Sequence, residues 1–216
     1  MGKITLLEVP FDAKNQVKAL GGRWDAKKRK WFVPEGKDIK PFKRWIPNYP
    51  HEFHLRAIAP FYVVESHDAC WQCGKTTCVI TFASNGVEEN GEKLKEFVKF
   101  HYVAHLPARL EDVVESNYPE YFRDDSKTTA SFYFMNHCRD CGASWGDFFL
   151  HDEPEGAFFP TEREAAKKIK LIELKRVGFV ALYATYSQSA PDLIVEWAQR
   201  EPYKPAPPAG EGRGEA

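Results

Sequence analysis

The chain has 216 residues, of which 43% are hydrophobic and 14% aromatic, enough for one large domain or two smaller domains with packed cores. It contains no apolar run of about 18 residues, so we expect no membrane-spanning helix. The N-terminal residues lack the long apolar stretch of a secretory signal. The formal net charge of −1 excludes a uniformly basic or acidic protein.

The charge is unevenly distributed along the chain. Residues 1–50 contain twelve Lys and Arg and five Asp and Glu, a charge of +7, whereas the remainder has 18 basic and 26 acidic residues, a charge of −8. This asymmetry predicts that partner binding is localised in the basic N-terminal part. The alternative is ordinary surface charge that segregates along the chain.

The first 48 residues predict a small module. A strand is expected at 3–8, followed by a helix at 13–20 that Asp12 would cap and that would stop at Gly21 and Gly22. Two further strands, around 23–25 and 30–33, would complete a β-α-β-β arrangement, closed by a short helix or turn near residue 40.

The two later strands of this module predict a hairpin centred on Lys27 and Lys28. In that register Trp24 faces Trp31 and Asp25 faces Lys30, and both are favourable cross-strand pairs.

The remainder predicts a mixture of strands and helices. Strands are expected up to Val64 and at 78–83, 97–106, 129–137 and 177–186, and helices at 110–117, 161–174 (with Thr161 and Glu164 as a capping box) and 190–200. The sequence therefore predicts the α+β class in three parts: the basic module at 1–48, an α+β domain containing a zinc ribbon at 51–200, and a disordered Pro/Gly-rich tail at 202–216.

Four of the five cysteines form two identical patterns, Cys-x-x-Cys-Gly. Cys70 and Cys73 make the first, Cys138 and Cys141 the second, and Gly74 and Gly142 follow them. A two-residue spacing lets one tight turn aim two sulfurs at one ion, and two such turns supply the tetrahedral thiolate set of a zinc ribbon. Four thiolates fill the coordination shell, so the predicted Zn²⁺ is structural, not catalytic.

Other interpretations of the cysteines are two unrelated reduced pairs, a redox pair or an iron–sulfur cluster. The 64 residues between Cys73 and Cys138 exceed the usual spacing and suggest an inserted subdomain. Cys78 is expected to be a small buried hydrophobic residue. An odd cysteine number without an export signal favours a reducing, cytoplasmic compartment.

The hairpin is the candidate nucleic-acid site. Cationic side chains at its tip can bind phosphates, and an exposed indole can stack on a base. The alternative is that the tryptophans, including Trp45, are the core of the small module and the lysines merely solvate its edge. The predicted contact residues are Arg23, Trp24, Lys27, Lys28, Arg29, Lys30 and Trp31.

Residues 4–47 resemble a small domain of unknown function found on plasmid conjugation primases and other bacterial DNA-processing proteins. The resemblance is carried by Val9-Pro10-Phe11, Lys18-Ala19-Leu20-Gly21, Arg23-Trp24-Asp25, Lys30-Trp31, Val33-Pro34, Phe42 and Trp45. Gly22 departs from that pattern, which often has Ala there. The resemblance implies DNA or RNA handling without assigning a binding residue.

The segments around the two cysteine pairs resemble zinc-binding domains of uncharacterised bacterial proteins. That resemblance implies a metal site and no activity.

An enzymatic interpretation is centred on the histidines. His101 and His105, four residues apart on a predicted strand, would face one side, and His151 with Asp147 or Asp152 could serve a hydrolase. The sequence has no phosphate-binding loop, nucleophile elbow or zinc-protease motif.

The leading hypothesis is therefore a non-enzymatic, zinc-stabilised, nucleic-acid-binding accessory protein. The first alternative is a protein–protein adaptor, in which the acidic part and residues 145–149 hold a partner. The second is a hydrolase that uses Asp147 and His151.

Overall fold

The computed structural model describes residues 5–46, 54–129, 131–175, 180–188 and 192–204. Strands predominate, and the helices are few and short, so the α+β class is confirmed. Within the described residues, no helix has the length and apolar character needed to cross a membrane.

The chain forms two compact units. One comprises the described residues among 1–52 together with those among 124–132, and the other comprises those among 53–123 and 133–216. The segment at 124–132, which the sequence analysis assigned to the second domain, thus belongs to the first unit. The interdomain segment at 47–50 and most of the predicted tail lie outside the described residues.

The N-terminal unit has the predicted β-α-β-β order. Its elements are β1 (Thr5–Leu7), a 3-10 turn (Phe11–Ala13), α1 (Lys14–Ala19), β2 (Arg23–Asp25), β3 (Lys30–Val33) and a second 3-10 segment (Lys40–Trp45). The prediction that Asp12 caps the helix is wrong, because the chain enters it through the 3-10 turn and no side chain caps either segment.

A small core holds this unit together. The sheet order is β1-β3-β2, and both pairings are antiparallel. The buried apolar residues are Leu7, Val17, Val33, Phe42, Trp45 and Ile46.

Two consecutive glycines end α1, as predicted. Gly21 has φ +89°, a left-handed conformation that favours glycine. A Cβ on Gly22 would lie 2.5 Å from Val17 Cγ1, so the helix and the strand that follows approach too closely for alanine without a shift. The departure from the domain pattern at Gly22 therefore has a packing cause.

The second unit is mainly antiparallel. Its strands are β4 (Leu55–Ala57), β5 (Phe61–Ala69), β6 (Thr76–Ser84), β7 (Val87–Glu89), β8 (Glu92–Leu94), β9 (Val98–His105), β10 (Tyr121–Ser126), β11 (Ser131–His137), β12 (Ser144–Trp145), β13 (Lys170–Glu173), β14 (Val180–Ser187) and β15 (Gln199–Pro202). Its helices are α2 (Ala108–Asn117), α3 (Asp147–His151), α4 (Arg163–Ala166) and α5 (Leu193–Trp197). The ends of β10 and β11 extend into the segment at 124–132.

Nine of these strands form one sheet in the order β15-β13-β5-β6-β9-β14-β4-β7-β8. Residues of β5 and β6 that alternate along each strand enter two different core clusters. The second cluster includes Cys70, Cys138 and Trp145, so it continues into the cysteine turns.

The predicted helix at 161–174 is wrong. Only α4 is helical there, its N-cap is Glu162 without a side-chain hydrogen bond, and residues 170–173 form β13. β13 pairs with β5 on one side and in parallel with β15 on the other. Tertiary strand pairing overrides the local helical pattern. The predicted last helix at 190–200 is likewise shortened to α5, since β15 begins at Gln199.

Candidate metal centre and nucleic-acid interface

Two backbone turns of the same design hold the four cysteines. β11 ends immediately before Cys138, as predicted, whereas β5 continues past its predicted end at Val64 to Ala69, immediately before Cys70. In the first turn the Gly74 N–H donates to the Cys70 carbonyl at 2.7 Å. In the second, the Gly142 N–H donates to the Cys138 carbonyl at 2.8 Å.

The glycines make these turns possible. Gly74 has φ +73° and Gly142 has φ +72°, and a Cβ at either position would meet no atom within 4 Å. The requirement for glycine is therefore conformational, not steric. Because the chain reverses after each glycine, the amides of Lys75 and Ala143 hydrogen-bond Cys73 and Cys141.

The turns bring four sulfurs from distant parts of the sequence together. Cys70 Sγ lies 3.6 Å from Cys141 Sγ, and Cys73 Sγ lies 3.7 Å from Cys138 Sγ. All four sulfurs lie within 4.8 Å of one another, and none is in a disulfide. The predicted meeting of both Cys-x-x-Cys pairs is thus present, and the group can hold a metal ion.

The sulfur spacing suits a single tetrahedral ion. Metal–sulfur bonds of about 2.3 Å in a tetrahedron separate the sulfurs by about 3.8 Å. The Cys70–Cys141 and Cys73–Cys138 separations, 3.6 and 3.7 Å, are close to that value. A multinuclear iron–sulfur cluster would have to fit several irons between the same cysteines and needs a wider cage.

Neighbouring groups act differently on the thiols. The Thr77 hydroxyl donates to Cys138 Sγ at 3.4 Å and, with backbone amides, lowers the pKa of Cys138 to about 6. The amide of Ala143 acts in the same direction on Cys141, but desolvation and hydrogen bonds with the other three thiols raise the pKa of Cys141 to about 12. If all four thiols lost their protons, the thiolates would repel one another unless a cation lay between them.

Two side chains join the turns across the site. Lys75 Nζ lies 2.6 Å from the Asp140 carboxylate, and Trp71 Nε1 donates to the Ser144 carbonyl at 3.0 Å. Sequence analysis missed both links, as well as Thr77. These residues are close in space only because the two Cys turns meet.

Cys78 lies outside the sulfur cluster. It is partly buried on β6, packs against the larger core, and burial raises its pKa to about 12. This agrees with its predicted role as a small hydrophobic residue.

The basic hairpin has the predicted register. Trp24 pairs with Trp31 and Asp25 pairs with Lys30. Asp25 Oδ1 accepts hydrogen bonds from the amides of Lys27 and Lys28, at 2.9 and 3.0 Å. The tip closes at Arg29, whose φ is +51°.

The cationic side chains of the hairpin face solvent. Lys27, Lys28 and Arg29 are exposed, and none forms an ion pair with any other described residue. Arg23 is exposed as well, whereas Lys30 lies 3.5 Å from Glu8.

The three tryptophans of this unit differ in environment. Trp45 is part of the core, and Trp31 is half-buried and packs against it. Trp24 is 51% exposed and meets Trp31 edge to face, with ring centroids 5.8 Å apart. Of the three tryptophans, only Trp24 therefore presents a large exposed ring, while the other two serve the core as the alternative interpretation expected.

The hydrolase candidates lie inside the second unit. Asp147 is 3% and His151 5% exposed. The Tyr102 N–H donates to Asp147 at 2.6 Å, and burial raises the pKa of this carboxyl to about 7 despite that hydrogen bond. Burial, with the nearby His101 and Lys99, lowers the pKa of His151 well below its ordinary value.

The prediction that His101 and His105 share one side rests on regular alternation, which β9 lacks. Tyr102 has φ +50°, and the register against β14 shifts between Tyr183 and Thr185. The register nevertheless places His101 opposite Thr185 and His105 opposite Tyr183, two residues apart on β14. His101 also stacks on His151, with ring centroids 5.3 Å apart.

Comparison with known proteins identifies relatives of the N-terminal unit alone. Residues 5–47 match the family described as Domain of unknown function (DUF5710). Two curated proteins of Escherichia coli, each named DNA primase TraC, are 56% and 44% identical to this chain over 39 residues. No solved structure matches.

These matches are short. The 39 residues are 18% of this chain and 4% and 3% of the two primases. The predicted resemblance of residues 4–47 is therefore confirmed, and the family match does not extend to the cysteine-containing part.

Proposed function

We propose that this protein is a non-enzymatic nucleic-acid-binding accessory protein, in which the hairpin makes the contact and a structural zinc ion stabilises the larger unit. The observation that carries the proposal is the hairpin tip. Lys27, Lys28 and Arg29 are exposed and have no ion-pair partner in the described part of the chain.

Dense positive charge of this kind suits a polyanion. Each lysine or arginine that binds a phosphate releases condensed counterions, which favours binding at low salt. The +7 charge of residues 1–50, against −8 elsewhere, concentrates this attraction in the N-terminal unit. The similarity of its 39 residues to part of two proteins named DNA primase adds a nucleic-acid context.

Zinc is the ion that best fits the sulfur cluster, in the manner of a zinc ribbon. Two Cys-x-x-Cys-Gly turns and sulfur separations near 3.7 Å match a tetrahedral thiolate site. Four protein ligands leave no open position for a substrate or water. The ion would therefore contribute folding energy, and it would supply no reaction chemistry.

Binding to a fluorescent single-stranded oligonucleotide at low salt tests the function. We expect the triple variant Lys27→Ala, Lys28→Ala and Arg29→Ala to bind at least tenfold more weakly than the wild type. The matched control replaces Lys95, Lys168 and Lys175, three exposed lysines of the other unit, with Ala. It loses the same charge and should bind like the wild type; equal losses in both variants would refute the assignment to the hairpin.

The adaptor alternative has one specific observation in its favour. Phe148 and Phe149 on α3 are 50% and 60% exposed, whereas their neighbours Trp145 and Asp147 are buried. Exposed acidic residues follow at 152, 153 and 155. An adaptor would thus offer two aromatic rings and negative charge to a basic partner.

The hydrolase alternative has weaker support. Asp147 accepts a hydrogen bond from the Tyr102 amide, and His151 stacks on His101 and packs at a tilt against Phe158. Both side chains are buried, where a substrate does not reach them without rearrangement. We therefore assign Asp147 and His151 to the packing of the second unit and not to catalysis.

A further inference from the structure

An open groove of about 500 Å³ runs beside the basic hairpin within the N-terminal unit. Its volume lies in the ~300–1,000 Å³ range of small-molecule sites. One side is formed by β1 and the residues after it, and the other by the hairpin. The lining residues are Leu7, Glu8, Val9, Pro10, Trp24, Arg29, Lys30 and Trp31.

We propose that this groove binds an unpaired base of a single-stranded nucleic acid, with Trp24 as the stacking surface. This inference rests on the proposed nucleic-acid function and specifies which form of nucleic acid the hairpin selects.

The position of Trp24 supports stacking. Its ring is half exposed in the lining of the groove, and the planes of Trp24 and Trp31 are inclined at 63°. Edge-to-face packing against one neighbour fixes the indole without covering it. A base that stacks on such a ring exchanges water contact for aromatic contact whatever its identity.

The groove combines apolar and cationic walls. Val9 and Pro10 offer apolar surface to a base, and Arg29 and Lys30 offer charge to its phosphates. The one carboxylate in the lining, Glu8, is 3.5 Å from Lys30, and this ion pair reduces its repulsion of a phosphate.

The same geometry disfavours a duplex. Bases in a double helix are stacked on their neighbours and present only their edges, so none can enter a groove whose aromatic wall requires a free ring face. A single strand can rotate one base into the groove while its backbone follows the exposed lysines of the tip.

Three probes of equal length test the inference with the full-length protein: a single-stranded oligothymidylate, the same strand with abasic residues, and a duplex. We expect the wild type to bind the oligothymidylate roughly tenfold more tightly than the abasic strand, because only the stacking contribution differs. We expect Trp24→Leu to lose the same factor on oligothymidylate and nothing further on the abasic strand.

Two variants distinguish stacking from damage to the fold. Trp24→Phe keeps an aromatic ring and should retain most of the preference for bases. Tyr183→Leu removes an exposed aromatic ring from the other unit and should leave the preference for bases unchanged.

The outcomes separate the inference from the function on which it rests. If all three probes bind with equal affinity and strong salt dependence, the hairpin binds phosphates only and the groove assignment is wrong. If no probe binds at low salt, both the function and the groove assignment fail.

Discussion

Trp24 and Trp31 lie directly opposite each other in the hairpin, with their ring centroids 5.8 Å apart. Adjacent to this pair, Asp25 closes the tip by accepting two backbone amides. The aromatic pair and the lysine-rich tip therefore belong to one hairpin, which places a half-buried ring, an exposed ring and the cations next to one another.

Asp25→Ala should loosen this element, since the amides of Lys27 and Lys28 lose their acceptor. Loss of such a side-chain cap costs about 1 kcal/mol. Asp25→Asn is the matched control, because it removes the same charge but keeps an oxygen acceptor. Amide hydrogen exchange at residues 27 and 28 should accelerate in the alanine variant and stay slow in the asparagine variant. Exchange in the alanine variant as slow as in the wild type would show that Asp25 does not hold the tip.

Cys73→Ser should abolish metal binding and destabilise the second unit. A structural zinc site contributes on the order of 10 kcal/mol to folding, so a melting temperature lower by at least 10 °C is expected. Cys78→Ser is the control, since Cys78 lies outside the sulfur cluster. Elemental analysis should find one zinc per chain in the wild type and the control, and none in the Cys73 variant. Iron in place of zinc, or full stability without metal, would contradict the assignment.

Thr77→Val tests the hydrogen bond to Cys138. Valine has the same shape but donates nothing to the sulfur, which lies 3.4 Å from the hydroxyl. Loss of an outer hydrogen bond to a metal ligand typically lowers metal affinity by about 10- to 100-fold. Competition with a chelator measures the metal affinity directly. An unchanged affinity would show that the Thr77 hydroxyl does not support metal binding.

The sequence predicted the hairpin register and the cysteine cluster because both follow from local rules. Trp24 and Asp25 have matching partners across a short tip, and each Cys-x-x-Cys-Gly segment forms its own turn. It could not show that Trp24 is exposed while Trp45 is buried, since exposure depends on which residues of other elements cover a ring.

Sequence prediction failed where contacts between segments distant in sequence determine the local structure. Residues 170–173 carry a helix-compatible pattern, yet they form β13 because β5 and β15 flank them. The irregularity of β9 at Tyr102 has no signal in the strand pattern. Thr77 and Trp71 enter the metal site only through contacts that span more than 60 residues.

His151→Phe should make the free energy of unfolding decrease less on acidification than it does in the wild type. His151 is neutral in the folded state because burial depresses its pKa, whereas the unfolded imidazole gains a proton below about pH 6.5. Its contribution is therefore present above that pH and lost as the pH falls. When the pH is lowered from 7.5 to 5.5, the free energy of unfolding of the variant should decrease by about 1 kcal/mol less than that of the wild type. Denaturation experiments on the metal-saturated protein measure this difference.

Asp147→Asn should make the free energy of unfolding decrease more on acidification than it does in the wild type. The folded pKa of Asp147, about 7, is above its ordinary value of 3.8, so its contribution is greatest in acid and is lost as the pH rises toward 7. Asparagine keeps an acceptor for the Tyr102 amide without titrating. Over the same pH interval this variant should lose about 2 kcal/mol more than the wild type on acidification. Identical curves for wild type and both variants would show that neither group is buried as described.

The most direct test of the central claim is the salt dependence of single-strand binding. Each phosphate contact adds about 0.7 to the slope of log affinity against log salt concentration. The variant lacking Lys27, Lys28 and Arg29 should therefore show a slope about 2 units shallower than the wild type, while the triple lysine control in the other unit keeps the wild-type slope. Equal slopes in the hairpin variant and the wild type would contradict the assignment of nucleic-acid binding to this hairpin.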